Sequence, residues 1–83
     1  FEVYPNPTTD LTTIVYQLGS PTAVSIELYD VSGRKIAFPV DEKWQETGDY
    51  QVNIQASQFP QGLYFVLLRT KDGVLSKRLT VIK

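Results

Sequence analysis

Carboxylates are the side chains in this sequence best placed to do chemistry. Asp41, Glu42, Glu46 and Asp49 fall within residues 39–49, the longest irregular and acidic stretch of the chain. Clustered hard oxygen ligands suit Ca2+. Their spacing matches no EF-hand loop, and Lys43 stands among them, so the expectation is a solvated loop holding no metal. Two carboxylates can also serve as acid and base in glycoside hydrolysis. Nothing marks out such a pair, and a chain of 83 residues leaves little room for a cleft. Trp44 lies in the same stretch. Its indole could stack on a sugar or a partner surface, but the expectation is that it folds back over one end of the fold.

Composition excludes most other chemistry. The chain has no Cys and no His, so it offers no zinc site of the usual nitrogen and sulfur type, no haem or iron–sulfur ligation, and no Ser-His-Asp or Cys-His nucleophile. Eight Lys and Arg oppose nine Asp and Glu, a net charge of −1, which gives no electrostatic footprint for nucleic acid or anionic membrane. No enzyme and no cofactor is expected. The chain begins at Phe1 and contains no Met, which is expected of a fragment of a longer or processed protein. The longest apolar run, residues 63–68, is far short of the ~20 residues that span a bilayer.

The elements that would carry these residues read as strands. Ile14, Tyr16 and Leu18 alternate with Thr13, Val15 and Gln17, and Val24, Ile26 and Leu28 with Ser25, Glu27 and Tyr29. Tyr50, Val52 and Ile54 alternate with Gln51, Asn53 and Gln55, and Tyr64, Val66 and Leu68 with Phe65, Leu67 and Arg69. Period two puts alternate side chains on one face of a strand, and no segment shows a helical stripe. Gly19-Ser20-Pro21, Asp30-Val31-Ser32-Gly33, Pro60-Gln61-Gly62 and Asp72-Gly73 punctuate the runs. Asp first and Gly fourth suit a type I turn that continues as a hairpin with a Gly bulge at Asp30, and Asp-Gly suits a two-residue hairpin. About six or seven short strands at roughly 8–12-residue spacing predict one all-β domain over residues 1–83, an antiparallel sandwich.

Two places break the alternation. The strand Gly62–Thr70 is apolar on both faces, as for a central strand covered on both sides, or one leaving Phe65 and Leu67 exposed. In the last run Leu75, Leu79 and Val81 share a parity with Lys77, which asks either for a bulge or for a lysine at the rim with its stem packed. Tyr4-Pro5-Asn6-Pro7 reads as a stiff approach to the first strand, with Asn6 capping a turn through its side chain. Asp30 and Arg34 can pair across their turn, worth at most ~1 kcal/mol at a surface.

Together, and in this order, Tyr4-Pro5-Asn6-Pro7, the run from Val24 to Arg34, Gly62-Leu63-Tyr64-Phe65-Val66 and the closing Lys77-Arg78-Leu79-Thr80-Val81-Ile82-Lys83 resemble the C-terminal sorting domains of type IX secretion cargo in Bacteroidetes-type bacteria. The resemblance spans nearly the whole chain. It implies an immunoglobulin-like antiparallel β-sandwich of about seven strands at the C-terminus of an exported protein. The domain would be a non-catalytic address read by the outer-membrane translocon and its shuttle protein. A sortase-like cysteine peptidase would remove it and leave the N-terminal cargo on a surface lipopolysaccharide. The cargo would pass through the periplasm to the surface or the medium. The family's Pro-Asn-Pro element falls on Pro5, Asn6 and Pro7, its Asp-x-x-Gly-Arg turn on Asp30, Gly33 and Arg34, and its Gly-x-Tyr element on Gly62 and Tyr64. Its basic C-terminus falls on residues 77–83, where Lys77, Arg78 and Lys83 carry the charge. The acidic stretch around Trp44 belongs to none of these motifs. Two other readings stand beside it, an accessory module binding carbohydrate or a surface partner, and a structural spacer. The sequence leaves open which patch is read and whether the domain dimerises through an edge strand.

Overall fold

A computed structural model describes all of residues 1–83. Seven strands, β1 (Glu2–Tyr4), β2 (Leu11–Leu18), β3 (Thr22–Asp30), β4 (Lys35–Gln45), β5 (Gly48–Gln55), β6 (Gly62–Thr70) and β7 (Gly73–Val81), form two antiparallel sheets. One is ordered β1-β2-β5 and the other β4-β3-β6-β7, an immunoglobulin-like sandwich. One turn of 3-10 helix, Ala56–Gln58, leads from β5 towards β6.

The period-two reading sets the core. Ile14, Tyr16 and Leu18 from β2, Val24, Ile26 and Leu28 from β3, and Tyr64, Val66 and Leu68 from β6 are all buried. With Val3, Val40, Ile54, Ala56, Leu79 and Val81 they make one cluster of 15 side chains. Tyr50 and Val52 pack against it half-buried, and the Tyr16 and Tyr50 rings stack with centroids 5.4 Å apart. The buried Tyr16 hydroxyl donates to Gln45 Oε1 at 2.8 Å.

Both hairpins form. At the first, Gly33 N–H donates to Asp30 O at 3.0 Å, and Gly33 takes φ +87°, a conformation that costs other residues about 1 kcal/mol or more. At the second, Thr70 pairs with Gly73, so Lys71 and Asp72 form the turn and its centre lies one residue earlier than Asp72-Gly73.

The sequence expectation fails for residues 39–49. Most of them belong to β4, an edge strand paired with β3 through three register shifts. An edge tolerates Pro39 because half its backbone needs no ladder partner, and bulges with charged side chains keep it from pairing outward. Glu42 sits at φ +46° with its N–H donating to Ser25 Oγ. No three carboxylates gather as metal ligands anywhere in the chain. Trp44 does not fold back over the sandwich. It is 63% exposed on β4, and its indole N–H donates to Glu46 Oε2 at 2.6 Å.

Leu75 is the other departure. It shares the parity of Leu79 and Val81 but is 57% exposed. The β6–β7 register runs without a bulge, so Leu75 and Lys77 do face the opposite sheet. There β1 is only three residues long and pairs with Thr13, Ile14 and Val15. It roofs the Leu79 end of β7 and stops before Leu75. Lys77 is therefore an exposed rim residue.

The outer face of the larger sheet holds one tight charge cluster. Glu27 accepts from Arg69 Nε at 2.6 Å and from Lys35 Nζ at 2.9 Å. First the Arg69 and then the Lys35 hydrogen bond pull its carboxyl from 4.5 down to about 2. The lowered value makes this contribution complete above pH 4.5 and lost as pH falls towards 2. Because both partners are partly solvated, it amounts to about 1–2 kcal/mol. Denaturant titrations of wild type and Glu27→Gln should differ by that amount at pH 6 and converge near pH 2.

Candidate functional site

Asn6 stands between two prolines, neither of which has a backbone N–H. The Tyr4–Pro5 and Asn6–Pro7 peptide bonds are both cis. Its side chain does not cap a local turn. Asn6 Nδ2 donates to Arg78 O at 2.7 Å, and Asn6 Oδ1 accepts from Thr80 N–H at 3.0 Å. The carboxamide thus meets the two groups that flank Leu79, as the backbone of a parallel neighbouring strand would. Thr8 repeats the pattern with its own backbone. Its N–H donates to Thr80 O and its carbonyl accepts from Ile82 N–H, both at 2.9 Å, which pairs Thr8 with Val81 in parallel. Thr12 Oγ1 donates to Pro5 O and Thr8 Oγ1 to Leu11 O, both at 3.0 Å, fixing the segment that carries this clip. Sequence reasoning missed Thr8. The available signal was Asn6 itself, an amide whose neighbours lack donors and whose side chain is left to do the pairing.

With two hydrogen bonds at ~0.5–1.5 kcal/mol each, Asn6→Ala should destabilise the domain by about 1–3 kcal/mol. Amide exchange should rise most at Thr80, and equal protection there in the variant would refute the clip.

The remaining motifs line up beside it. Val81 pairs with Gly62, Leu79 with Tyr64, and Tyr64 with Asp30. Gly62 opens β6 at φ +153°. Tyr64 is buried, donates its hydroxyl to Pro60 O at 2.6 Å and packs on Phe59 with centroids 5.7 Å apart. Burial, and then the nearby Asp30 charge, raise the Tyr64 hydroxyl above its ordinary pKa. Asp30 Oδ1 accepts from Ser32 Oγ at 2.6 Å and from the N–H groups of Ser32 and Arg34 at 3.0 Å. The Ser32 hydroxyl first, and then the Arg34 N–H, hold its carboxyl below the usual value. Arg34 Nε lies 3.4 Å from Asp30 Oδ2 with its side chain largely in solvent. Pro5, Asn6 and Pro7, Asp30, Gly33 and Arg34, Gly62 and Tyr64, and the final strand therefore form one continuous band across the end of the larger sheet.

Lys77, Arg78 and Lys83 differ in their surroundings. Lys83 is tied down, its N–H donating to Gln61 Oε1 at 3.1 Å and its Nζ to Ser57 O at 2.6 Å. Lys77 and Arg78 are exposed and pair with no carboxylate. Phe65 and Leu67 are half-buried on the outer face of β6, where Phe65 stands between Tyr29 and Arg78, and Leu67 between Glu27 and Ser76. No three carboxylates gather here as metal ligands. The band offers a partly apolar surface with free cations beside it.

No curated protein matches the chain. The model of a family described as the secretion system C-terminal sorting domain matches residues 2–83. All the band residues fall within that match, and the chain belongs to the family of type IX secretion C-terminal sorting domains.

Proposed function

We propose that the chain is the C-terminal address of an exported protein, whose N-terminal cargo it directs through the type IX system across the outer membrane, to the cell surface or the medium. The observation that carries this reading is the convergence of four motifs, distant in sequence, into the band that ends on the clipped final strand. A sorting domain must fold without disulfides and present the same surface whatever its cargo. A band held by backbone pairing, Asn6 and the Asp30 turn meets both needs.

On this reading Lys77 and Arg78 are the charges read by the translocon and its shuttle protein, with Phe65 and Leu67 as the apolar ground on the Arg78 face. A sortase-like cysteine peptidase cleaves upstream of Pro5 and passes the cargo to a lipopolysaccharide. The test is a fluorescent reporter carrying an inner-membrane export signal, with and without residues 1–83 behind it, in a bacterium possessing the machinery. Appearance of only the tailed reporter outside the cell is the expected result. Retention of both in the periplasm would leave a family fold without the sorting role.

Trp44 favours a second reading, an accessory module that binds carbohydrate. It is exposed beside Tyr50, Val52 and Pro39 in a groove of about 780 Å3 at the other side of the sandwich. An aromatic face of this kind stacks on sugar rings. Glycan binding that disappears in Trp44→Ala would establish it.

A further inference from the structure

The clip covers only part of the β7 edge. Arg78, Thr80 and Ile82 direct backbone groups away from β6 to meet Asn6 and Thr8. Backbone groups alternate in direction along a strand, so Val74 and Ser76 aim theirs the same way. β7 has no neighbour there but β6, and no other part of the chain bonds to those groups. Residues 73–77 thus keep a bare edge about 17 Å long at ~3.4 Å per residue.

The facing sheet is open at the same place. β1 pairs with β2 only as far as Val15, which leaves Tyr16, Gln17 and Leu18 without a neighbour on that side. Between the two bare edges runs a groove of about 230 Å3, lined by Leu18, Thr22, Leu68 and Leu75 among others. Val74 is 50% exposed on one face of the edge and Leu75 57% on the other. Natural edges are commonly blunted by bulges, prolines or a covering loop. β4 has Pro39 and bulges, and the far half of β7 has the clip. Residues 73–77 have neither, and their one charge, Lys77, stands at the end of the stretch nearest the clip.

We propose that this open half of β7 receives an added strand from a partner: an extended segment of about five residues, apolar where it faces Leu75 and carrying one carboxylate beside Lys77 on that face and another beside Arg78 on the other. Bare N–H and C=O groups call for extended backbone, which neither a helix nor a glycan supplies. The groove accepts an apolar side chain. The charges select the sign: Lys71, Lys77 and Arg78 against Asp72 make the stretch cationic within a chain of net charge −1. A second copy of β7 would set cationic stretch against cationic stretch, which disfavours self-pairing. The proposal rests on the sorting reading only for where the partner resides, in the export machinery.

Two arms test it. In the first, the isotope-labelled chain is titrated by NMR with a capped synthetic peptide of about seven residues, alternating valine with threonine and glutamate. Shifts should concentrate at residues 73–77 and Leu18, and a peptide with lysine for glutamate should bind about tenfold more weakly. Ser76→Pro removes an outward N–H that β6 does not use, and should abolish binding with the thermal midpoint retained. Leu75→Asp keeps every backbone group and should give the same loss. Absence of shifts at millimolar peptide, or binding that survives Ser76→Pro, overturns the proposal. So does sedimentation of the free chain as a dimer that Leu75→Asp converts to monomer, because a second copy would then hold the edge. In the second arm, Ser76→Pro in the tailed reporter should lower export to about one tenth or less. Undiminished export of that variant overturns the proposal. If the unsubstituted reporter is itself retained, the sorting reading fails and the titration still decides whether a strand adds.

Discussion

Replacing Lys77 and Arg78 together by glutamate should abolish export of a tailed reporter and leave the domain folded. Both side chains are exposed and neither has an ionic partner to lose, so the reversal should change stability by no more than about 0.5 kcal/mol. Every buried residue of the core cluster is untouched. What changes is the sign of the charge at the end of the final strand, next to Phe65 and the open edge. Like charge set against a partner's acidic groups is penalised by several kcal/mol, enough to remove detectable recognition. The measurement is the ratio of external to periplasmic reporter, taken with a thermal melt of the purified variant. Normal secretion by the doubly reversed protein would dismiss these two cations as the recognised charges.

Leu79→Ala produces the largest loss of stability of any single change considered, about 2–5 kcal/mol. Leu79 is fully buried, pairs with Tyr64 and lies between the two backbone groups held by Asn6. A small β-sandwich has only 5–15 kcal/mol in hand, so denaturant titration should show a midpoint shifted by a large fraction of its value. Deleting residues 79–83 is more severe. It removes Leu79 and Val81, both at 0% exposure, one of the two partners of Asn6, and both backbone partners of Thr8. Such a truncation should fail to fold, and lost export in it would say nothing about an address. The exposed pair Lys77 and Arg78 is the informative target because it separates reading from folding.

The strands with clean alternation were legible in the sequence because period two needs no tertiary information. The buried sets of β2, β3 and β6 fall where the pattern puts them. The Asp30 turn was legible for the same local reason, since Asp and Gly encode its geometry within a few residues. β4 was not, because an edge strand is selected to look unlike a strand, with Pro39 and charges that discourage outward pairing. Leu75 misled for a non-local reason: its parity is right, but β1 is too short to cover it. Lys77 was legible as a rim residue once no bulge was required. The role of Asn6 was out of reach, since its partners lie 72 and 74 residues away. The family resemblance marked Asn6 as important without saying what it touches.

The clip between Asn6, Thr8 and the final strand makes the fold a closed loop in time as well as in space. Within this domain the opening residues have the closing strand as their neighbours, so that long-range pairing must wait until both have been made, and folding of the domain is slowed accordingly. A product of translation that stops before Leu79 leaves Thr8 without its backbone partners and Asn6 with only the Arg78 carbonyl to grip. Its larger sheet loses the Leu79–Val81 part of the β6–β7 ladder, and the band is left without its closing strand end. A partner that reads that band would therefore accept only domains whose final strand has been made and docked.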